Sequence, residues 1–126
     1  MKLHLNSGGG LALFTGYAAD HVLIDGHRHE SSLLLSAHGI EVAPWAGLGF
    51  DALTLAHFEW IARRELDILL LGTGTRLRFP APALTRPLVE ARIGLETMDL
   101  GALCRTYNIL AAEGRNVGAA VLIEPA

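Results

Sequence analysis

Apolar residues along this chain fall into two kinds of pattern, uninterrupted runs and runs broken at helical spacing, and the runs set the plan. Ile68, Leu69, Leu70 and Leu71 are consecutive, and residues 117–123 are apolar throughout apart from Gly118. Such segments cannot alternate between core and water, so they read as strands buried on both faces of an α/β sheet, with residues 67–71 at its centre. Between and before them the spacing predicts helices. Asp51 is placed to cap a helix over 52–65, in which Leu53, Ala56, Trp60 and Ile61 recur near the helical period. A shorter helix over 84–92 tolerates Pro87 only near its first turn and is closed by Gly94. Residues 95–98 form a strand. Asp99 then caps a helix over 100–113, whose seam is Leu100, Leu103, Cys104, Tyr107, Leu110 and Ala111, with Gly114 ending it. Strands alternating with helices in this way are expected to run parallel.

The first third reads differently. Residues 3–5 suit a short opening strand, followed by the loop Ser7-Gly8-Gly9-Gly10. Val22-Leu23-Ile24, the pair Asp25-Gly26 and a second strand over 28–35 make a hairpin with a type I′ turn. Residues 40–42 add another short strand, and Pro44-Trp45 opens a loop. The organisation expected is one domain over 1–126, with a β-rich layer in 1–43 and alternating helices and strands in 51–126. At 126 residues there is one core's worth of chain, and no disulfide is available because Cys104 is the sole cysteine.

Charge narrows the function classes. The net charge of -3 disfavours a sequence-independent grip on nucleic acid or an anionic membrane. Eight of the ten Lys and Arg residues lie after position 50 and all eight are Arg, but nine of the thirteen acidic residues lie there too, which leaves solvated surface pairs as the plain reading. Hydrophobic residues make up 51% of the chain and mean hydropathy is +0.35. No apolar run approaches the ~20 residues of a membrane span, and no signal peptide is evident, so a cytoplasmic location is expected. The apolar excess points to surface covered by a partner or a second copy.

The candidate chemistry lies after residues 67–71. The loop Gly72-Thr73-Gly74-Thr75-Arg76-Leu77-Arg78 offers close backbone approach, hydroxyls and guanidiniums at a strand end, where ligands of open α/β sheets bind. If the strand before Asp99 is parallel to this one, Arg76, Arg78, Asp99 and Arg105 converge on it. The candidate anion or ligand site is therefore Gly72, Thr73, Gly74, Arg76, Arg78, Asp99 and Arg105; the competing reading is a structural turn, a helix cap and solvent-facing charges. The loop lacks the third glycine and immediate helix of a dinucleotide fingerprint, and Gly8-Gly9-Gly10 lacks the Gly-Lys-Ser/Thr of a P-loop. His27-x-His29 puts two imidazoles on one strand face without an evident third ligand, so no metal and no cofactor is expected. Cys104 falls on a helix seam, no Gly-x-Ser-x-Gly occurs, and no catalytic residues are assigned.

Several segments together resemble a known family: Leu69-Leu70-Leu71-Gly72-Thr73-Gly74, Gly94-Leu95-Glu96-Thr97-Met98-Asp99, Ala102, Arg105-Thr106-Tyr107-Asn108-Ile109-Leu110 and Glu113-Gly114-Arg115-Asn116-Val117. The chain is similar to domain of unknown function family 498, whose mitochondrial relatives include an assembly factor of respiratory complex I. Departures fall at Leu100 and Leu103, where the family pattern has a small polar residue and Ala. The resemblance implies a three-layer α/β domain around a mixed sheet partly covered by extra strands, and no established reaction for bacterial members. It favours a non-catalytic protein-interaction module with an unidentified protein partner or self-association, and no nucleic-acid or membrane-inserted partner. The second hypothesis is a small-anion or small-molecule binding protein or enzyme using the Gly72-Thr73-Gly74 loop.

Overall fold

The computed structural model describes residues 10–125; the strand expected at 3–5 and most of the glycine loop lie outside them. Among the described residues the chain forms β1 (Phe14–Ala18), β2 (His21–Ile24), β3 (His27–His29), β4 (Leu33–Ser36), β5 (Gly39–Val42), a 3-10 turn (Phe50–Ala52), α1 (Leu55–Ala62), β6 (Ile68–Gly72), α2 (Pro82–Glu90), β7 (Gly94–Met98), α3 (Leu100–Ala112) and β8 (Val117–Val121). The larger sheet has five strands in the order β5-β4-β8-β6-β7. β6 pairs in parallel with both β7 and β8, while β4 is antiparallel to β8 and β5, so the sheet is mixed. The strand expected over 67–71 is thus an interior one, β6, but the middle position belongs to β8, every residue of which is buried.

Chain reversal explains the layers. The connection from β6 to β7 moves outward across the sheet and that from β7 to β8 moves back past β6. With the usual right-handed crossover, the intervening helices must fall on opposite faces. The packing agrees. Leu69, Leu71 and Ala120 face Phe58 and Ile61 of α1 and Leu88 of α2, together with Trp45. Leu70, Ala119 and Val121 face Leu103, Cys104 and Tyr107 of α3, together with Phe14, Val22 and Ile24 of the small antiparallel sheet β1-β2-β3. Two glycines let the layers close up. A Cβ on Gly118 of β8 would lie 2.5 Å from Leu66, and one on Gly72 would lie 2.5 Å from Leu103.

The structure corrects several boundaries. The expected strand over 28–35 is two strands in two different sheets, parted at Ser31-Ser32; the Ser32 hydroxyl accepts from the Ile123 amide at 2.8 Å and so pins the break to the chain end. The Asp25-Gly26 turn has positive φ at both residues, as a type I′ hairpin requires. α1 begins at Leu55, and its cap is Thr54 in place of Asp51. The Thr54 hydroxyl accepts from the His57 amide at 3.4 Å, while Nδ1 of His57 accepts from the Thr54 amide at 3.0 Å. Imidazole here performs the return bond that Glu or Gln usually makes in a capping box. α2 starts at Pro82, which puts Pro87 inside the helix, and Arg92 (φ 60) ends it ahead of Gly94, with the Ile93 amide donating to the Leu88 carbonyl. Asp99 caps α3 and Gly114 (φ 78) ends it, as the sequence predicts.

β1 has no counterpart in the sequence reading, and one side chain of α3 holds it. The Asn108 amide group donates to the Phe14 carbonyl at 2.8 Å and accepts from the Phe14 amide at 2.9 Å, completing a strand-like pair of bonds inside the protein. The Phe14 ring meets Tyr107 edge-on at 5.5 Å. Asn108→Ala would leave two buried backbone groups unpaired and is expected to cost about 2–4 kcal/mol in urea denaturation. The amides of β1 should lose hydrogen-exchange protection before those of β8. Equal protection loss in the two strands would show that Asn108 does not hold β1 specifically.

Candidate functional site

Loop 73–81 leaves the carboxyl end of β6, and its first residues are arranged by their own hydrogen bonds. Thr73 is fully buried. Its amide donates to the Met98 carbonyl at 2.9 Å, its hydroxyl donates to the Arg76 carbonyl at 2.7 Å, and the same hydroxyl accepts from the Arg78 amide at 3.1 Å. Gly74, with φ 87, passes its carbonyl to the Leu100 amide at 2.8 Å, which docks the loop on the start of α3. Arg78 folds back under the loop. Its guanidinium forks onto Glu124, donates to the Thr73 carbonyl and lies 4.7 Å from the Phe50 ring centre. Glu124 also accepts from the Phe50 amide at 3.0 Å. The Arg78 hydrogen bond holds the Glu124 carboxyl below its ordinary value, against the opposing effect of burial.

The seven predicted site residues therefore separate. Gly74, Asp99 and Arg105 line a cleft of about 340 Å3. Gly72 and Thr73 are buried, Gly72 against Leu103 and Thr73 within the loop, and outside the lining of the cleft. Arg78 is turned toward Glu124, and Arg76 is exposed outside the cleft. Oδ1 of Asp99 accepts from the Ala102 amide at 2.9 Å as the α3 cap. Nη1 of Arg105 donates to the Tyr17 hydroxyl at 3.4 Å. The position follows from topology: the chain leaves β6 toward one face and β7 toward the other, and a crevice opens where neighbouring strands part in this way.

Tyr17 and Gly101 are among the lining residues that were not foreseen. Tyr17 comes from β1, whose pattern is broken by Gly16 and an irregular register between Phe14 and Gly16. Gly101 lies in the first turn of α3, where a Cβ would come within 2.7 Å of the Tyr17 hydroxyl. A glycine inside a helix is costly, so Gly101 was the available signal of a close approach. Of the other reactive groups, Cys104 is buried and its thiol is pushed up to about 12 by burial. Among the described residues no three His, Cys, Asp or Glu side chains gather as a metal site, and no helix is long and apolar enough to cross a membrane.

Residues 14–122 match the model of the family described as "Protein of unknown function (DUF498/DUF598)". The chain belongs to this family. An uncharacterized protein of Rhodobacter capsulatus is 34% identical over 87% of this chain and 83% of its own length. NADH dehydrogenase [ubiquinone] 1 alpha subcomplex assembly factor 3 of Bos taurus is 30% identical over 67% of this chain, which spans 47% of that relative. Among solved structures, a Bordetella parapertussis protein superposes with a TM-score of 0.80 at 32% identity, covering 92% of this chain and 98% of its own. A protein of Bartonella henselae described as an outer membrane protein superposes with a TM-score of 0.74 at 28% identity, covering 92% and 98%. The DUF498/DUF598 fold is thus the mixed α/β arrangement described above, and the segments that carried the resemblance map onto β6, β7, α3 and the turn into β8.

The Arg78–Glu124 pair ties loop 73–81 to the chain end in this member of the family. Because Glu124 is depressed in the folded state, its contribution is present above its ordinary value of 4.5 and is lost as pH falls through the lower folded value. Glu124→Gln should therefore melt below the wild type at pH 7, and the two should converge as pH drops below that range. A difference in melting temperature that is constant from pH 7 to pH 3 would assign the effect to packing in place of charge.

Proposed function

We propose that this protein is a non-catalytic interaction domain of the assembly-factor type, acting in the cytoplasm and folding as one unit over 1–126. Its partner is another protein or a second copy of the chain. The observation that carries this reading is the similarity to the Bos taurus assembly factor across two-thirds of the chain. Surface chemistry supports it. Val42 on the sheet edge, Phe79 in the loop after β6 and Val89 on α2 are each more than 70% exposed. Single exposed apolar residues are ordinary, but an aromatic ring left 71% in water on a loop braced from beneath by Thr73 and Arg78 suits a preformed contact.

A second reading is favoured by one observation, the cleft between Gly74, Asp99, Gly101 and Arg105. In it the domain binds a small molecule at the carboxyl ends of β6 and β7. This narrows the wider candidate set to the residues that reach the cleft.

Native mass spectrometry of protein taken from its own host tests the interaction reading. The wild type should retain a stoichiometric protein partner or a second copy. Phe79→Glu or Val89→Glu should release it while leaving the melting temperature within about 2 °C, since surface substitutions seldom change stability by more than about 0.5 kcal/mol. A bare monomer in every wild-type preparation would sink the proposal.

A further inference from the structure

The cleft beside α3 has a composition that selects among ligands. We propose that it binds a small zwitterion, an amino-carboxylate with a short side chain, its carboxylate on Arg105 and its ammonium on Asp99. This inference rests on the second reading above, that the cleft is a binding site.

Size comes first. A volume of about 340 Å3 lies at the low end of the range of roughly 300–1,000 Å3 for small-molecule sites, which suits a small ligand. The walls are spare: Gly74, Gly101 and Ala18 present little side chain, and Gly101 is held without one because the Tyr17 hydroxyl occupies the space where a Cβ would go.

Charge comes second. Arg105 lines the cleft, forms no ion pair among the described residues, and has the Tyr17 hydroxyl 3.4 Å from Nη1. A guanidinium is suited to a carboxylate, and an arginine on a helix leans back toward the helix start, over the cleft. Asp99 lines the same cleft and uses Oδ1 for its cap; Oδ2 has no hydrogen bond among the described residues. A simple anion would sit near that carboxylate and be repelled by it. A phosphate would want a second cation, yet Arg76 and Arg78 do not line the cleft. A metal ion would want further ligands, and no group of three is present among the described residues. An ammonium and a carboxylate on one small molecule satisfy both charges and leave neither unpaired.

The test is a two-dimensional 1H–15N NMR titration of the full chain with L-alanine, acetate and ethylamine in separate experiments at pH 7 and low salt. L-Alanine should give saturable shifts at the amides of Ala18, Gly74, Thr75 and Gly101. Acetate and ethylamine should each bind about tenfold more weakly, since each lacks one charge-assisted contact. Arg105→Gln and Asp99→Asn should each weaken L-alanine by a similar factor; Arg105 is exposed, and Asn retains the capping oxygen, so both variants should keep the wild-type spectrum elsewhere. If acetate binds as tightly as L-alanine, or the Asp99→Asn variant is unaffected, the cleft is a plain carboxylate site and the zwitterion proposal is wrong. If no probe shifts these amides, both the proposal and the ligand-site reading fall.

Discussion

Two adjacent strands without a polar side govern this structure. All residues of β8 and all but the first of β6 are buried, so each needs cover on both faces, and neither could lie at an edge. β4 and β7 flank them in the sheet, α1 and α2 cover one face, and α3 with the small sheet covers the other. The small sheet is thus a consequence of the large one. α3 alone does not span the face that carries Leu33 and Leu35, and Phe14, Val22 and Ile24 complete the layer there. The close approaches at Gly72 and Gly118 follow from the same demand, since side chains at either position would push Leu103 or Leu66 away from the strands they cover.

What could be read from residues alone was what neighbouring residues decide. β6, β8 and α3 declared themselves through uninterrupted apolar runs, an Asp cap and a glycine stop, all local features. The Asp25-Gly26 turn did so through the φ angles that only a few residue types accept. What escaped was decided at a distance. β1 is held by Asn108, 94 positions along, and its own pattern is interrupted at Gly16. The division of 28–35 between two sheets depends on Ser32 meeting Ile123, 91 positions away. The start of α1 escaped for a different reason: His57 takes the place of Glu in the capping box, which hid Thr54 behind the more obvious Asp51. Spacing foretold the parallel set β6, β7 and β8, and the resemblance to the family supplied the mixed sheet in which β4 and β5 join it antiparallel.

The candidate corner divides along the same line. Spacing marked a loop rich in glycine, hydroxyls and arginines, and it marked the right end of the right strand. It could not say which of those groups were already engaged. Thr73 and Arg78 have the composition of an anion site and the connectivity of a brace: the hydroxyl and the guanidinium are both committed to Arg76, Thr73 and Glu124. An arginine whose carboxylate partner comes from the far end of the chain cannot be distinguished, in the sequence, from one waiting for a ligand.

α3 is where architecture and chemistry meet. Its buried seam exists to cover β6 and β8, and Leu103 owes its place to Gly72. From the same helix, Asn108 positions β1, and β1 carries Tyr17 to the first turn, where only a glycine at position 101 makes room for it. The cleft wall is thus assembled through the core, and a helix that shifted along its axis would misplace Asp99, Gly101 and Arg105 together. That coupling constrains any function placed there. A contact surface around Phe79 can vary with its partner, because it stands on a loop held from below. The geometry of the cleft cannot vary without repacking the strands on which the whole fold is built.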